Sequence, residues 1–275
     1  MAGLEQRRQW LAIAIEAAAA GAAELRRHYG QLRQVREKGR AGDLLSEADL
    51  AAEAAVLQVL HGRCPELAVL AEESGGTAVE QGGLLWCVDP LDGTTNYAHG
   101  YPFFATSVGL VEDGMPLLGC IDVPFMAEVF EGGPGLGARC NGAAIRVSDT
   151  KALADSLLVT GFAYDRIHRA DNNYAEFCRL TQRCHGVRRG GAAAVDLAYT
   201  ACGRLDGYWE RGLKPWDLAA GSALISAAGG CVTAYDRSPF VLSSGHVLAS
   251  NGHLQQAISE QLQASEPLDP TLYGC

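Results

Sequence analysis

Residues 84–96 of this 275-residue chain read LLWCVDPLDGTTN, and this stretch decides the fold around it. An apolar run that stops abruptly at an aspartate predicts a buried strand whose end delivers a carboxylate. Asp89 and Asp92 are three residues apart, but Pro90 and Gly93 argue against a sustained helix here. A turn at the strand end can instead direct both carboxylates into one space.

The pair Asp89 and Asp92 has two interpretations. Two carboxylates this close are costly unless a cation lies between them, and hard oxygen ligands, with the carbonyl of Leu91 among them, suit Mg²⁺. The segment 93–95 would then present backbone N–H groups and hydroxyls at a helix start, where phosphate binds well. The alternative is an Asp-capped turn, since Asp, Gly and Thr all favour turns and helix starts. The sequence of residues 89–96 alone does not decide between a metal site and an Asp-capped turn.

Other acidic positions bear on this choice. The run LAVLAEES ends at Glu72 and Glu73, which indicates either a second acidic strand end or a solvated loop. Asp217 opens a helix in the C-terminal half, where an N-cap is its simplest role. Ser46 and Asp49 have the S-x-x-D spacing of a helix cap.

The order of predicted elements indicates an α+β half, residues 1–150, followed by an α/β half, residues 151–275. Helices are predicted over 4–29 and from Ser46 onward. Apolar runs with Gly and Pro punctuation between Phe103 and Phe130 predict antiparallel strands. After residue 150, strands and helices alternate.

The composition bounds the partners and the compartment. A formal net charge of −10 disfavours a nucleic-acid or anionic-membrane partner, although bound cations can reverse the field inside one cleft. Nine cysteines without a C-x-x-C pair predict reduced thiols. Glu16 and Glu24 interrupt the apolar N-terminal segment, which predicts a packed helix rather than an export signal or membrane span. We therefore expect a cytoplasmic protein.

Taken together, the motifs resemble the inositol monophosphatase family of the lithium-sensitive, magnesium-dependent phosphatase superfamily. WCVDPLDGTTNYAHGYPFFATSVGL is similar to its first signature and PWDLAAGSALISAAGG to its second. The strings AEES, ARCNGAAIRVS and GRLDGYWE fall in the expected order, so the resemblance covers nearly the whole chain. It implies a layered αβαβα sandwich of the inositol monophosphatase and fructose-1,6-bisphosphatase type.

The resemblance also implies a site with two to three Mg²⁺ ions, assembled from both halves. The implied metal ligands are Glu72, Asp89, the carbonyl of Leu91, Asp92 and Asp217. Thr94 and Asp49, with metal-bound Glu72, are implied to orient the attacking water, and the N–H groups of Gly93 and Thr94 to bind phosphate. Residues implied around this site are Lys38, Asp43, Glu73 and Thr95.

The implied reaction is direct attack of metal-activated water on a phosphomonoester. The chain lacks the D-x-D-x-T string of aspartyl-phosphate phosphatases, which agrees with this route. The segment RRGGAAAVDLAYTACGRLDGYWE resembles the polyol-binding segment of the family. It implies that Glu210 accepts hydrogen bonds from substrate hydroxyls, although by spacing alone Glu210 could be a surface charge. The implied pocket also contains Gly191, Ala192 and Ala193.

This resemblance favours inositol 1-phosphate as substrate and a homodimer as assembly. Alternatives within the enzyme class are fructose-1,6-bisphosphatase, histidinol-phosphatase and 3′-phosphoadenosine-5′-phosphate phosphatase. In a different class, the chain could be an inactive metal-binding scaffold that acts through protein contacts. Arg188 and Arg189 could contact either substrate or a neighbouring subunit.

Overall fold

A computed structural model describes residues 2–32, 35–38 and 44–268. These residues form two larger sheets, a small hairpin and several helices. The helices are α1 (Leu4–His28), α2 (Glu47–Arg63), α3 (Thr94–Ala98), α4 (Tyr174–Thr181), α5 (Ala193–Ala201), α6 (Pro215–Ala227) and α7 (Gln255–Gln263). The strands are β1 (Val35–Glu37), β2 (Leu44–Ser46), β3 (Ala68–Ala71), β4 (Gly75–Gly76), β5 (Leu84–Asp92), β6 (Ala105–Glu112), β7 (Met115–Val123), β8 (Glu128–Gly133), β9 (Gly137–Cys140), β10 (Ala143–Ala144), β11 (Leu157–Thr160), β12 (Gly186–Arg188), β13 (Gly207–Glu210), β14 (Cys231–Thr233) and β15 (Val247–Ser250).

The first sheet has eight strands in the order β10-β9-β8-β7-β6-β5-β3-β4. All neighbouring strands run antiparallel except β3 and β5, which are parallel. Because parallel strands end at the same edge, the residues that follow β3 lie beside the end of β5. The antiparallel strands predicted between Phe103 and Phe130 are confirmed as β6, β7 and β8.

The second sheet has five strands in the order β12-β11-β13-β15-β14. β11 runs parallel to both β12 and β13, whereas β15 is antiparallel to its two neighbours. The alternation of strands and helices predicted after residue 150 is therefore present. Two of its helices, α4 and α7, lie where no helix is predicted from the sequence.

The helices form three layers around the two sheets. α1 and α2 contact each other and the first sheet, while α5 and α6 contact each other and lie between the sheets. α4 and α7 contact each other and the outer face of the second sheet. This arrangement confirms the predicted layered αβαβα sandwich.

Close packing brings α6 onto the first sheet. A Cβ atom at Gly119 would lie 2.4 Å from the Cα atom of Ala220, and one at Gly109 would lie 2.7 Å from the Ala220 nitrogen. Only glycine permits this approach. The largest core cluster accordingly contains residues from both halves, Ile121 and Leu224 among them. The division near residue 150 separates the two sheets but not their core, and as a domain boundary it stays a prediction.

The N-terminal helices follow their local sequence signals. α1 spans Leu4–His28, one residue shorter than the predicted helix over 4–29. α2 begins with the predicted cap, because the Ser46 hydroxyl accepts from the Ala48 N–H and the Ser46 N–H donates to Asp49. In the described residues, no helix is both long and apolar enough to cross a membrane.

Candidate active site

The end of β5 and the start of α3 form the centre of the candidate site. The pairing of β5 with β6 shifts register between Asp89 and Asp92, so the strand is irregular where its two aspartates lie. The Leu91 N–H donates to Asp89 Oδ1 over 3.0 Å. Gly93 follows with φ of 92°, a conformation that favours glycine, and α3 begins at Thr94. The turn-capping role considered for Asp89 is therefore real.

Asp92 joins this turn to the second half of the chain. Its side chain is buried, and its two carboxylate oxygens accept from the backbone N–H groups of Ala193 and Ala194 at 3.0 and 2.8 Å. These two N–H groups belong to the first turn of α5, where a negative charge interacts favourably with the helix dipole. The contact fixes the end of β5 against α5.

Four carboxyl groups influence one another at this point. Burial raises the pKa of Asp89 well above its ordinary value. Negative charges nearby raise it further, and they belong to Glu72, Asp92 and Asp217. Burial also raises the pKa of Asp92 to about 7, although the N–H groups of α5 oppose this effect. Ionising these carboxyl groups together is therefore costly unless a cation balances their charge.

Asp217 reaches the cluster from the first turn of α6. Its Oδ2 atom accepts from the Lys214 N–H at 2.6 Å, so Lys214 is the N-cap residue and Asp217 is the third residue of the helix. Asp217 is thus not the N-cap residue itself; from the third helical position its carboxylate accepts the N–H of the N-cap residue. Burial, followed by the charge of Glu72, raises the pKa of Asp217 to about 8.

The donor chemistry of this cluster fits a hard divalent cation, because carboxylate and carbonyl oxygens are its preferred ligands. Within residues 2–32, 35–38 and 44–268, no three carboxylate, imidazole or thiol side chains already converge as a finished metal site. The Asp92 oxygens bond α5, and Glu72 bonds Lys38 over 2.7 Å. The oxygens of Asp92 and Glu72 are thus engaged in bonds within the protein.

A hydrogen-bonded network connects α2 to the turn. Thr94 Oγ1 lies 3.0 Å from Asp49 Oδ1 and 3.0 Å from the carbonyl oxygen of Leu91. The Ser46 hydroxyl donates to Asp49 Oδ2 over 2.6 Å. Burial raises the pKa of Asp49, while the bonds from Ser46 and Thr94 oppose this. Thr94 and Asp49, two of the three residues predicted to orient water, are thus in direct contact, whereas Thr95 is exposed at the surface of α3.

Lys38 lies at the acidic end of β3. Its ammonium group contacts Glu72 Oε1 at 2.7 Å and Glu73 Oε1 at 2.5 Å. Burial lowers the pKa of Lys38, but both glutamates outweigh burial and raise it. Burial raises the pKa of Glu73 to about 7, and its N–H donates to Glu53. Asp43, predicted beside this group, lies outside the described residues.

Glu210 ends β13 and is buried, so it is not the surface charge that spacing alone allowed. Tyr208 donates to its Oε2 atom over 2.6 Å. Burial raises the pKa of Glu210 to about 7, while Tyr208 and the positive charge of Arg189 oppose this. Arg188, at the end of β12, and Arg189 are both exposed, and whether either contacts substrate or a neighbouring subunit stays open.

The predicted pocket segment Gly191–Ala193 leads into α5. Ala192 and Ala193 are buried in the core that the two halves share, and Gly191 is half-buried. A Cβ atom at Gly191 would lie 2.3 Å from Arg189 Nη1. Contact of this segment with substrate stays a prediction.

Two charged residues near the pocket are absent from the sequence prediction. Asp196 is 2% exposed, and burial, with the charges of Glu210 and Asp92, raises its pKa well above the ordinary value. Arg211 is 4% exposed and pairs with Asp165 and Asp171. A charge in the otherwise apolar string AAAVDLAY could have signalled Asp196, whereas the partners of Arg211 lie too far along the chain to be found by spacing.

This chain is similar to known proteins over most of its length. The profile of the Inositol monophosphatase family matches residues 6–266. An inositol-1-monophosphatase of Synechocystis sp. is 52% identical over 256 residues, 93% of this chain and 89% of that protein. The Nus factor SuhB of Pseudomonas aeruginosa is 40% identical over 232 residues, 82% of this chain and 85% of that protein. The structure of an inositol monophosphatase from Anabaena (Nostoc) sp. superimposes with a TM-score of 0.86 at 49% identity, covering 95% of this chain and 98% of that one.

Proposed function

Because the chain belongs to the inositol monophosphatase family, we propose that it hydrolyses inositol 1-phosphate to inositol and phosphate. The family consists of metal-dependent phosphatases, so the chain is a phosphoric monoester hydrolase at the level of reaction class. The observation that carries the proposal is the four-carboxylate cluster around Asp89, with buried Glu210 nearby in the second half. The name and 52% identity of the Synechocystis relative support the choice of substrate.

We propose Mg²⁺, two to three ions, as the cofactor. The residues that would hold it are Glu72, Asp89, the carbonyl of Leu91, Asp92 and Asp217. When bound, Mg²⁺ would neutralise the charge of the phosphate dianion and lower the pKa of the attacking water. Without a cation, the raised pKa values of Asp89, Asp92 and Asp217 indicate that the cluster holds protons instead.

The residues of α2 and α3 would orient the attacking water. If Thr94 donates its single hydroxyl proton to Asp49, its oxygen stays available to accept a hydrogen bond from water. The water oxygen then attacks phosphorus in line while the phosphorus–oxygen bond to the polyol breaks; the water releases one proton to solvent, and the leaving oxygen takes one up. The N–H groups of Gly93 and Thr94 are proposed to hold the phosphate oxygens.

Glu210 is proposed to bind the polyol part of the substrate. A carboxylate can accept hydrogen bonds from two hydroxyl groups, and Tyr208 leaves part of this capacity unused. A buried acceptor discriminates strongly against a substrate that lacks matching hydroxyls, because the acceptor is then left unsatisfied. This property favours a polyol phosphate over an aryl phosphate.

A panel of phosphate esters tests the proposal. Purified protein with Mg²⁺ would be offered inositol 1-phosphate, fructose 1,6-bisphosphate, histidinol phosphate, 3′-phosphoadenosine 5′-phosphate and 4-nitrophenyl phosphate. We expect the highest kcat/KM with inositol 1-phosphate and inhibition by millimolar Li⁺, as the family resemblance implies. A strong preference for histidinol phosphate or the bisphosphate would refute the substrate assignment.

A role without turnover is the competing proposal, because several relatives carry the name Nus factor SuhB. This competing role would be favoured if folded protein with Mg²⁺ released phosphate from none of these esters. The homodimer and the cytoplasmic location also remain proposals. Sedimentation of the purified chain tests the first, and fractionation of the source cells tests the second.

A further inference from the structure

A long irregular segment adjoins Glu210. Thirteen residues, 161–173, connect β11 to α4 without helix or strand. Asn173 is the N-cap residue of α4, and we call the twelve residues before it, 161–172, the β11–α4 loop. Structureless connections of this length are uncommon in compact domains and are usually functional. No part of the reaction described above uses this loop.

The guanidinium group of Arg211 holds the loop at two points. Its Nη1 atom donates to Asp165 Oδ1 over 2.8 Å, and Nη2 to Asp165 Oδ2 over 3.3 Å, which makes a forked pair. Its Nε atom donates to Asp171 Oδ2 over 3.1 Å. The Arg211 side chain is only 5% exposed. A buried guanidinium with two carboxylate partners is a strong and geometrically specific link.

The start of the loop touches the carboxylate proposed to bind substrate. A Cβ atom at Gly161 would lie 2.1 Å from Glu210 Oε2, so the loop backbone lies directly against that oxygen. A Cβ atom at Gly212 would lie 2.7 Å from the Cβ atom of Ala163. The loop therefore packs on the residues on both sides of Arg211.

The residue that follows the loop is fixed to the same strand. Trp209 Nε1 donates to Asn173 Oδ1 over 2.6 Å, and Asn173 Nδ2 donates to the carbonyl of Gly161 over 2.6 Å. Trp209, Glu210 and Arg211 are consecutive, and each contacts the loop or its end. The residue that pairs with the loop carboxylates is therefore the immediate neighbour of Glu210 in the chain.

We propose that Arg211 is a positioning residue that clamps the β11–α4 loop against Glu210 and thereby shapes the polyol side of the substrate pocket. This inference rests on the proposed function of Glu210. Arg169 lies 3.8 Å from Asp165 and His246 lies 3.5 Å from Asp171, but both are largely exposed. Arg169 and His246 therefore provide weaker, exposed contacts to the two aspartates, and neither forms the two-bond pair that buried Arg211 forms with Asp165.

The test compares Arg211→Met with Arg211→Lys in the full-length protein with Mg²⁺. Lys keeps the charge but cannot form the fork, so we expect an intermediate effect. Limited trypsin digestion, with products identified by mass, reports loop opening as cleavage after Arg166 and Arg169. We expect cleavage of Arg211→Met to be roughly fivefold faster or more, because digestion follows the population of the open loop.

The kinetic arm uses inositol 1-phosphate and 4-nitrophenyl phosphate. For Arg211→Met we expect KM for inositol 1-phosphate to rise by roughly fivefold or more, with kcat/KM for the aryl ester within about twofold of wild type. Asp165→Asn, which keeps Arg211 and Asp171 paired, provides a milder variant should Arg211→Met fold poorly. It should move both readouts in the same direction.

Arg204→Met is the matched control. Arg204 forms a forked pair with Glu128 elsewhere in the molecule, with Nη1 at 2.7 Å from Oε2, and we expect neither loop cleavage nor KM to change. Unchanged cleavage in Arg211→Met would overturn the clamp. Faster cleavage with equal losses on both esters would overturn the role in the polyol pocket. If wild type itself does not hydrolyse inositol 1-phosphate, the proposed function falls, while the cleavage comparison still decides for or against the clamp.

Discussion

The carboxylate of Asp92 accepts a 2.8 Å hydrogen bond from the backbone N–H of Ala194, which lies 102 residues further along the chain. This bond, with its companion from Ala193, connects the end of β5 to the start of α5. Asp217 reaches the same cluster from α6. The candidate site therefore depends on how closely the two helices of the central layer pack against the first sheet.

Replacement of Asp92 tests its place in the acidic cluster. In Asp92→Asn the amide oxygen can still accept from α5, so we expect a folded protein by circular dichroism. We expect the rate of phosphate release to fall by roughly three orders of magnitude, about 4 kcal/mol in activation free energy. Asp149→Asn, at an exposed pair with Arg146, is the control and should keep wild-type activity. Full activity in Asp92→Asn would remove Asp92 from the site.

Gly119 tests the dependence on close helix packing. In Gly119→Ala the new methyl group would meet Ala220, so we expect a loss of stability of ~1–3 kcal/mol from overpacking. We also expect lower activity, because α6 carries Asp217. Thermal unfolding and phosphate release measure the two effects. Gly62→Ala, in α2 with no atom within 4 Å, should be neutral or stabilising.

Glu210 tests the polyol contact. We expect Glu210→Ala to raise KM or lower kcat for inositol 1-phosphate by roughly tenfold or more, with a smaller effect on 4-nitrophenyl phosphate, which offers no matching hydroxyls. Steady-state kinetics on both esters provides the comparison. Glu66→Ala, at an exposed position, is the control. Equal losses on the two esters would remove Glu210 from substrate recognition.

Asp122 predicts a pH dependence of stability that is independent of catalysis. Burial raises its pKa to about 6, although Arg26, 3.7 Å away, opposes this. Because the pKa is higher in the folded protein than the ordinary value of about 3.9, this group's contribution to stability is greatest below pH 4 and is lost as pH rises through 6.

We therefore expect Asp122→Asn to unfold at higher urea concentration than wild type at pH 8, with a gain of ~1–3 kcal/mol. At pH 3 the gain should disappear, because Asp122 is then largely protonated in both states. Urea unfolding at the two pH values measures this difference. If Asp122→Asn were no more stable than wild type at pH 8, the ionised Asp122 carboxylate would not destabilise the folded protein.

Local signals in the sequence account for the single pieces of the site. The strand that carries Asp89, the cap at Ser46 and the helix that carries Asp217 all follow from runs of apolar residues and their punctuation. The contacts that assemble these pieces do not follow from such signals, because they join residues far apart in the chain. The bond between Asp92 and Ala194 and the forked pair of Arg211 are of this kind.

The most direct test of the account is phosphate release from inositol 1-phosphate before and after metal removal. Protein stripped with a chelator and assayed without added metal should show negligible release, and Mg²⁺ should restore it in wild type. Asp217→Asn removes the one carboxylate that the second half of the chain contributes to the cluster. In this variant Mg²⁺ should restore little activity. Undiminished release by the stripped protein, or full restoration in Asp217→Asn, would contradict a metal site assembled from both halves of the chain.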